Sequence, residues 1–319
     1  MATAEQIKSL IKSHYSDDLE RFRTVALQVA AHEARKGHGA LALDLRDILN
    51  KEQRKVKQSI SFLPSELEGL VLVEQTSITQ SSLVMNANLK NRITRILTEY
   101  RQKNKLKSHG LDCRRKILLS GAPGTGKTMT AKVLAKELHL PLYTIQVDRL
   151  VTKFMGETSA KLRQIFDLIK EKPGVYLFDE FDAIGSERTL DNDVGEMRRV
   201  LNAFLQFIEQ DTSDSLIIAA TNHPRLLDHA LFRRFDDVLY YDYPKEEERK
   251  HLIENLLGTF KAVRFEWKSV LKKSEGLSHA EIDHACRDAI KHTILSDQTK
   301  VNATLLLQMI KERKKNHLA

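Results

Sequence analysis

The sequence predicts an α/β protein: a parallel sheet with helices on both faces, followed by a small helical lid domain and preceded by a short helical N-terminal domain. Three observations predict it. From residue 65 onward short apolar runs alternate with amphipathic stretches, the pattern of a sheet whose strands are joined by crossing helices. A glycine-rich loop at 121–126 separates one such run from a helix-like segment. After Pro244 the strand-like runs stop and helical periodicity takes over. The expected division is 1–60 for the N-terminal partner or substrate domain with its linker, 65–242 for the large α/β domain and 243–319 for the lid.

The elements follow in order. Phe22, Val25, Ala26, Val29 and Ala30 repeat at helical spacing behind Ser16-Asp17-Asp18, a helix-start signal. Gly37 and Gly39 bracket His38 as a break, and Leu41, Leu45, Ile48 and Leu49 resume on one face. The stretch 50–60 is charged and polar, a linker closed by Pro64. Strands are predicted at 116–120, 142–147, 175–179, 216–220 and 238–241, and lid helices at about 245–258, 278–296 and 303–315.

Composition bounds the class. The chain has 319 residues, 41% hydrophobic and 29% charged, which suits a globular protein of about two domains. Its longest apolar runs, such as Leu216–Ala220, fall far below the roughly 18 residues of a membrane span. The N-terminus carries no secretory pattern, and Glu5, Asp17 and Asp18 argue against a transit peptide. Cys113 and Cys286 stand far apart in no ligand spacing, so neither a disulfide framework nor structural zinc is expected. The expectation is a soluble, cytoplasmic protein without a membrane partner.

The net charge is +8, and residues 90–116 carry all of it, with ten basic side chains against Glu99 and Asp112. That segment reads either as a patch for nucleic acid or another acidic partner, or as a solvated helix facing the phosphate loop downstream. The second reading is favoured, because only Tyr100 offers an aromatic side chain among the bases.

Gly121-Ala122-Pro123-Gly124-Thr125-Gly126-Lys127-Thr128, with Met129 continuing into the helix, fits G-x-x-x-x-G-K-[ST] between a strand and a helix. Glycines let the backbone curl so that successive N–H groups face phosphate oxygens, and the helix start adds its positive end. Lys127 is expected to reach the β- and γ-phosphates and the Thr128 hydroxyl to ligate Mg²⁺. Some fifty residues on, Val175-Tyr176-Leu177-Phe178 ends in Asp179-Glu180, which delivers two carboxylates to the C-terminal edge of the sheet. Asp179 is expected in the Mg²⁺ shell, and Glu180 as the base that orients and deprotonates water for ATP hydrolysis.

With these motifs in place, the chain resembles an AAA ATPase of the classical clade, a stand-alone type with a single ATPase domain, within the AAA+ superfamily of P-loop NTPases. That clade includes proteasomal ATPases, AAA proteases and microtubule-severing enzymes, and the resemblance covers about residues 68–315. Ala219–Pro224, Leu227–Leu231 and Arg234-Phe235-Asp236 resemble its second region of homology. The match implies that Asn222 is the polar sensor near the γ-phosphate and that Arg233 and Arg234 are arginine fingers serving a neighbouring subunit. The family places Pro-Gly between two arginines here, whereas Arg233 and Arg234 are adjacent. Arg234, directly before Phe-Asp, takes the finger role, and Arg233 is either the second finger or a surface residue. Lys153-Phe154-Met155-Gly156-Glu157 resembles the aromatic pore loop, with Phe154, Met155 and Gly156 as the substrate-gripping residues. Glu187–Gly195 is either a second pore loop or a surface loop. Gly276–Ile282 resembles the start of the sensor-2 helix, except that His279 stands where Gly is usual and Ala280 where other AAA+ groups carry an arginine. His279 faces adenine or ribose, or is an ordinary surface histidine.

The resemblance implies a ring ATPase, a hexameric homo-oligomer, that uses ATP and Mg²⁺ to remodel, unfold or disassemble protein substrates by pulling polypeptide through a central pore. The alternatives are a nucleic-acid-directed ATPase, resting on the 90–116 segment, and a nucleotide-switched adaptor working with a separate partner. No protease motif occurs in the chain, so a protease would be such a partner.

Overall fold

The computed structural model describes residues 4–15, 19–39, 41–47, 63–150, 157–182, 194–224 and 229–317. The expected linker at 50–60, the pore-loop residues Phe154, Met155 and Gly156, most of the 187–195 loop, and Leu227 and Asp228 lie outside them. The chain divides into two compact units, Met1–Pro64 and Ser65–Ala319.

In the first unit the helices Ala4–Tyr15 and Leu19–Arg35 are followed by a helical stretch at 41–47. Val25, Val29, Ala30 and Ala42 are its buried apolar residues. The chain breaks where the glycines predict: Gly37 takes φ +86°, and His38 Nδ1 lies 2.6 Å from the carboxylate of buried Glu33.

The second unit holds a six-stranded sheet: β1 Val71–Glu74, β2 Lys116–Gly121, β3 Leu142–Ile145, β4 Val175–Phe178, β5 Leu216–Thr221 and β6 Asp237–Tyr241. Its order is β1-β3-β4-β5-β2-β6, and every pairing is parallel except β1 with β3. β4 and β5 are buried at every position, as strands covered on both faces must be, and so read as unbroken apolar runs. Neighbouring residues serve opposite layers. Val175 and Leu177 join the core formed with the helices Ala87–Arg101 and Lys127–Glu137, through Ile93, Ile96, Ala131 and Leu134. Phe178 turns the other way, onto Phe166 of helix Glu157–Glu171 and Phe204 of helix Val194–Gln210, with ring centroids 6.2 and 5.1 Å away.

β1 is the strand the sequence reading leaves out. It is four residues long, lies at the sheet edge, and exposes Leu72 and Glu74, so it lacks the continuous apolar run of its parallel neighbours. Past Pro244 the helices Glu246–Leu257, Trp267–Lys273, His279–Leu295 and Ala303–His317 close around a second core that includes Leu252, Ile253, Val270, Ile282, Cys286 and Leu306. Val84, from the segment ahead of the sheet's first helix, belongs to this lid core.

The basic segment 90–116 does not gather on a free face. Seven of its ten bases meet carboxylates: Arg92 and Arg95 on Asp237, Arg101 on Glu137, Lys103 and Lys107 on Asp214, Arg114 on Glu99, and Arg115 on buried Asp211. Much of its charge is neutralised within the fold, and the acids come from elements up to 145 residues away.

Candidate active site

β2 ends at Gly121, where the chain must pass against the end of β6. A Cβ on Gly121 would fall 2.2 Å from the Tyr241 carbonyl oxygen, so no larger residue fits this approach. The loop then turns through Gly124 (φ +72°) and Gly126 (φ +103°), and Gly126 is the N-cap of helix Lys127–Glu137. Thr125 Oγ1 donates to the Ala122 carbonyl at 2.7 Å and Thr130 Oγ1 to the Gly126 carbonyl at 3.0 Å, which fixes the curl from both sides. The lid supports it too: the Ala280 amide donates to the Gly124 carbonyl at 3.0 Å, and a Cβ on Gly124 would lie 2.7 Å from Ser278 Oγ.

Lys127 is buried, with Nζ donating to the Gly121 and Ala122 carbonyls at 2.8 Å each. Burial pushes its pKa below the ordinary lysine value, and the negative charges of Asp179 and Asp182 oppose that shift. The Thr128 hydroxyl donates to Asp179 Oδ2 at 2.7 Å. Glu180, next in line, sits at φ +52°, a left-handed backbone rare for a residue with a side chain and of the kind concentrated at functional sites. Its amide donates to Asp179 Oδ1 at 3.0 Å, and the following Phe181 amide donates to the Ala220 carbonyl at 2.8 Å. The bend therefore turns Glu180 out of the sheet edge while both flanking residues stay tied down. Asn222 follows β5, its amide held by Asp182 Oδ1 at 3.1 Å.

These groups face one cavity of about 520 Å³. Its polar end brings together Pro123, Gly124, Thr125, Gly126, Lys127, Thr128 and Met129 with Asp179, Glu180 and Asn222. Its lining also includes Leu83, Val84 and Met85, Leu252 and Leu256, and His279, Ala280, Asp283 and Arg287 of the lid. A curled loop at a helix start, an ammonium, a hydroxyl–carboxylate pair and a second carboxylate, together with apolar walls, suit a phosphorylated nucleotide.

Residues 117–243 match the family described as ATPase family associated with various cellular activities (AAA). The chain is also 34% identical over 314 residues to an uncharacterized AAA family ATPase of Sinorhizobium fredii (y4kL), an alignment covering 94% of this chain and 92% of that protein. The chain belongs to the AAA ATPase family. It is similar as well to the proteasome-activating nucleotidases of Sulfurisphaera tokodaii (34% identity, 67% of this chain, 57% of theirs) and Pyrococcus horikoshii (32%, 63% and 52%). This chain thus spans little more than half the length of those two relatives.

This AAA ATPase is a nucleotide-binding, ATP-hydrolysing enzyme. Its two arginines stand apart from the cavity just described. Arg233 and Arg234 follow the short helix His229–Phe232, and neither lines the cavity. Arg233 is exposed, while Arg234 Nε contacts Glu209 Oε1 at the end of helix Val194–Gln210. Three site features escape motif reading: Asp182, which anchors the Asn222 loop; Tyr241, whose hydroxyl donates to Thr130 Oγ1 at 2.7 Å beneath the phosphate loop; and the Ser278–Ala280 contact on Gly124. Of these, Asp182 carries a signal in the sequence as the third acid of the 179–182 run, and Ser278 and Ala280 lie in the 276–282 motif although their contact with Gly124 does not show there. Among the described residues no helix is long and apolar enough to cross a membrane.

Proposed function

We propose that this AAA ATPase assembles into a cytoplasmic homo-oligomeric ring, a hexamer on the family resemblance, and remodels, unfolds or disassembles protein substrates by drawing polypeptide through a central pore. One observation carries the ring: the cavity gathers Lys127, Thr128, Asp179, Glu180 and Asn222 from its own chain, while Arg233 and Arg234 lie outside its lining. Arg287, the guanidinium that lines the cavity, is engaged by Asp283, and on the family resemblance the finger for the γ-phosphate is Arg234 of a neighbouring copy. The similarity to proteasome-activating nucleotidases supports a protein substrate and a separate protease as one working partner. The intramolecular pairing of the 90–116 bases weighs against the nucleic-acid reading.

In this reading the loop amides and Lys127 bind the phosphates, with Lys127 exchanging its carbonyl partners for β- and γ-phosphate oxygens. Glu180 accepts the proton of the attacking water, Asn222 orients that water, and Arg234 of the next subunit meets the charge that develops on the γ-phosphate. Thr128 and Asp179, joined at 2.7 Å, present hard oxygen donors of the kind Mg²⁺ takes. Mg²⁺, held by Thr128 and Asp179, would offset the negative charge of the phosphates.

The test is mass photometry of Glu180→Gln with and without ATP·Mg²⁺. Assembly on ATP supports the ring, whereas a persistent monomer sinks it. Phe154→Ala then separates the pore reading: basal ATPase should stay and substrate processing should fall.

A further inference from the structure

The lid carries a cluster of bases that the fold does not neutralise. Residues 261–273 hold Lys261, Arg264, Lys268, Lys272 and Lys273 against one acid, Glu266. Lys250 joins them from helix Glu246–Leu257, its ammonium lying over the Trp267 ring at 5.7 Å from the centroid. Lys261 lies over the same ring at 5.3 Å, and Phe265 packs against it with centroids 4.7 Å apart. Two acids stand among these bases, and both are engaged. Glu254 takes Lys261 Nζ at 3.2 Å, and Glu266 caps helix Trp267–Lys273 by accepting the Ser269 amide at 3.1 Å. Among the described residues no carboxylate pairs with Lys250, Arg264, Lys268, Lys272 or Lys273, and all five side chains are exposed. The 90–116 segment is the opposite case, since most of its bases already meet acids of the same chain.

We propose that this face of the lid docks an acidic polypeptide segment that also carries an apolar side chain. Crowded like charges repel, and carboxylates relieve that repulsion while accepting hydrogen bonds from the ammonium and guanidinium groups. Lys268 and Lys272 stand one turn apart on the same side of their helix, so an acidic chain lying along it meets them in succession. Val263, next to Arg264, is 99% exposed, an apolar contact that a peptide side chain can cover and a sugar-phosphate backbone does not use. The aromatic rings favour the same partner. Single-stranded nucleic acid is held by bases stacking on open ring faces, whereas Trp267 is overlain by two ammoniums, flanked by Phe265 and packed onto the lid core. A cation–ring contact near the surface is weak, so Lys250 can leave the indole for a carboxylate on docking.

Trp267 is the only tryptophan of the chain, so its emission reports on this face. The experiment titrates the full chain, with ADP·Mg²⁺ present, with a fluorescein-labelled peptide of Glu-Glu-Leu repeats. Its neutral Gln-Gln-Leu counterpart and a labelled oligo-dT of equal charge are the other arms. Anisotropy reads binding and tryptophan emission reads its place. The acidic peptide should bind, change the Trp267 emission, and weaken severalfold between about 50 and 300 mM NaCl, because exposed charges are screened over about 10 Å. The neutral peptide should bind at least about tenfold more weakly. Lys250→Glu combined with Arg264→Glu should cost the acidic peptide about tenfold or more and leave basal ATPase unchanged. Wild type alone can overturn the proposal: no binding of the acidic peptide, binding without a change in emission, or tighter binding of oligo-dT each does so. Undiminished affinity in the charge-reversed variant does so as well.

Discussion

The Thr128 hydroxyl and the Asp179 carboxylate meet at 2.7 Å, although 51 residues separate them and they follow different strands. Strands β2 and β4 are not neighbours; β5 lies between them. The contact is made across the C-terminal edge of the sheet, where the start of helix Lys127–Glu137 turns over the strand ends. Asp179→Asn keeps the shape of this pair and removes its charge. It should raise the Mg²⁺ concentration for half-maximal ATPase by at least about tenfold. The measurement is turnover against MgCl₂ at saturating ATP; an unchanged Mg²⁺ profile would remove Asp179 from the metal shell.

Glu180 combines a left-handed backbone with a proposed role as general base, which predicts opposite effects on stability and activity. Glu180→Gly should relieve the backbone and raise the unfolding free energy by about 0.5–1 kcal/mol, while ending turnover. Glu180→Gln keeps the strain, binds ATP and fails to cleave it. Urea unfolding and single-turnover hydrolysis read the two effects; a glycine variant that loses stability would show that the side chain anchors the bend.

Arg234 contacts Glu209 on its own subunit and stays out of its own cavity. Arg234→Ala should leave nucleotide affinity nearly unchanged and lower kcat by about 10³-fold or more, the scale of a lost arginine finger. Mixing it with Glu180→Gln subunits should restore part of the activity, because one variant supplies the base and the other the guanidinium. Mixtures no more active than either parent would argue against action in trans.

Asp214 is held below its usual pKa, first by hydrogen bonds from Lys107 and Lys103. A carboxylate whose folded pKa lies under its unfolded value of about 3.8 adds stability that is present above that value and disappears as pH falls through the folded one. Lys107, raised by the same partner, extends the contribution upward until pH passes its folded pKa above 10.5. Asp214→Asn should therefore lower the urea midpoint at pH 7, and the gap should close as the solution is acidified below about pH 3.8. A gap that persists in acid would assign the effect to packing.

The parts legible in the sequence are those whose physics is local. The 121–128 loop must be glycine-rich to curl, and β4 and β5 must be apolar throughout because both faces are covered. β1 escapes because an edge strand needs only one buried face, and four residues are too few to display a period. The fate of the basic segment escapes for a different reason. Arg92 and Arg115 find Asp237 and Asp211, and no local pattern announces partners 145 and 96 residues away. Asp182 is visible as an acid, but its hold on the Asn222 amide depends on β4 and β5 lying side by side. His279 stands out as a departure from glycine, while the burial of its nitrogens requires the lid to be folded against Val84.

The hydrogen bond from Ala280 to the Gly124 carbonyl is a mechanical joint. The lid connects to the sheet through Asp242, Tyr243 and Pro244, which form the natural pivot between β6 and helix Glu246–Leu257. While the joint holds, a swing about that pivot drags the tip of the phosphate loop with it. In the proposed ring, torque applied to the lid by a neighbour would thereby be delivered to the grip on the nucleotide, and a change in that grip would be delivered back to the lid.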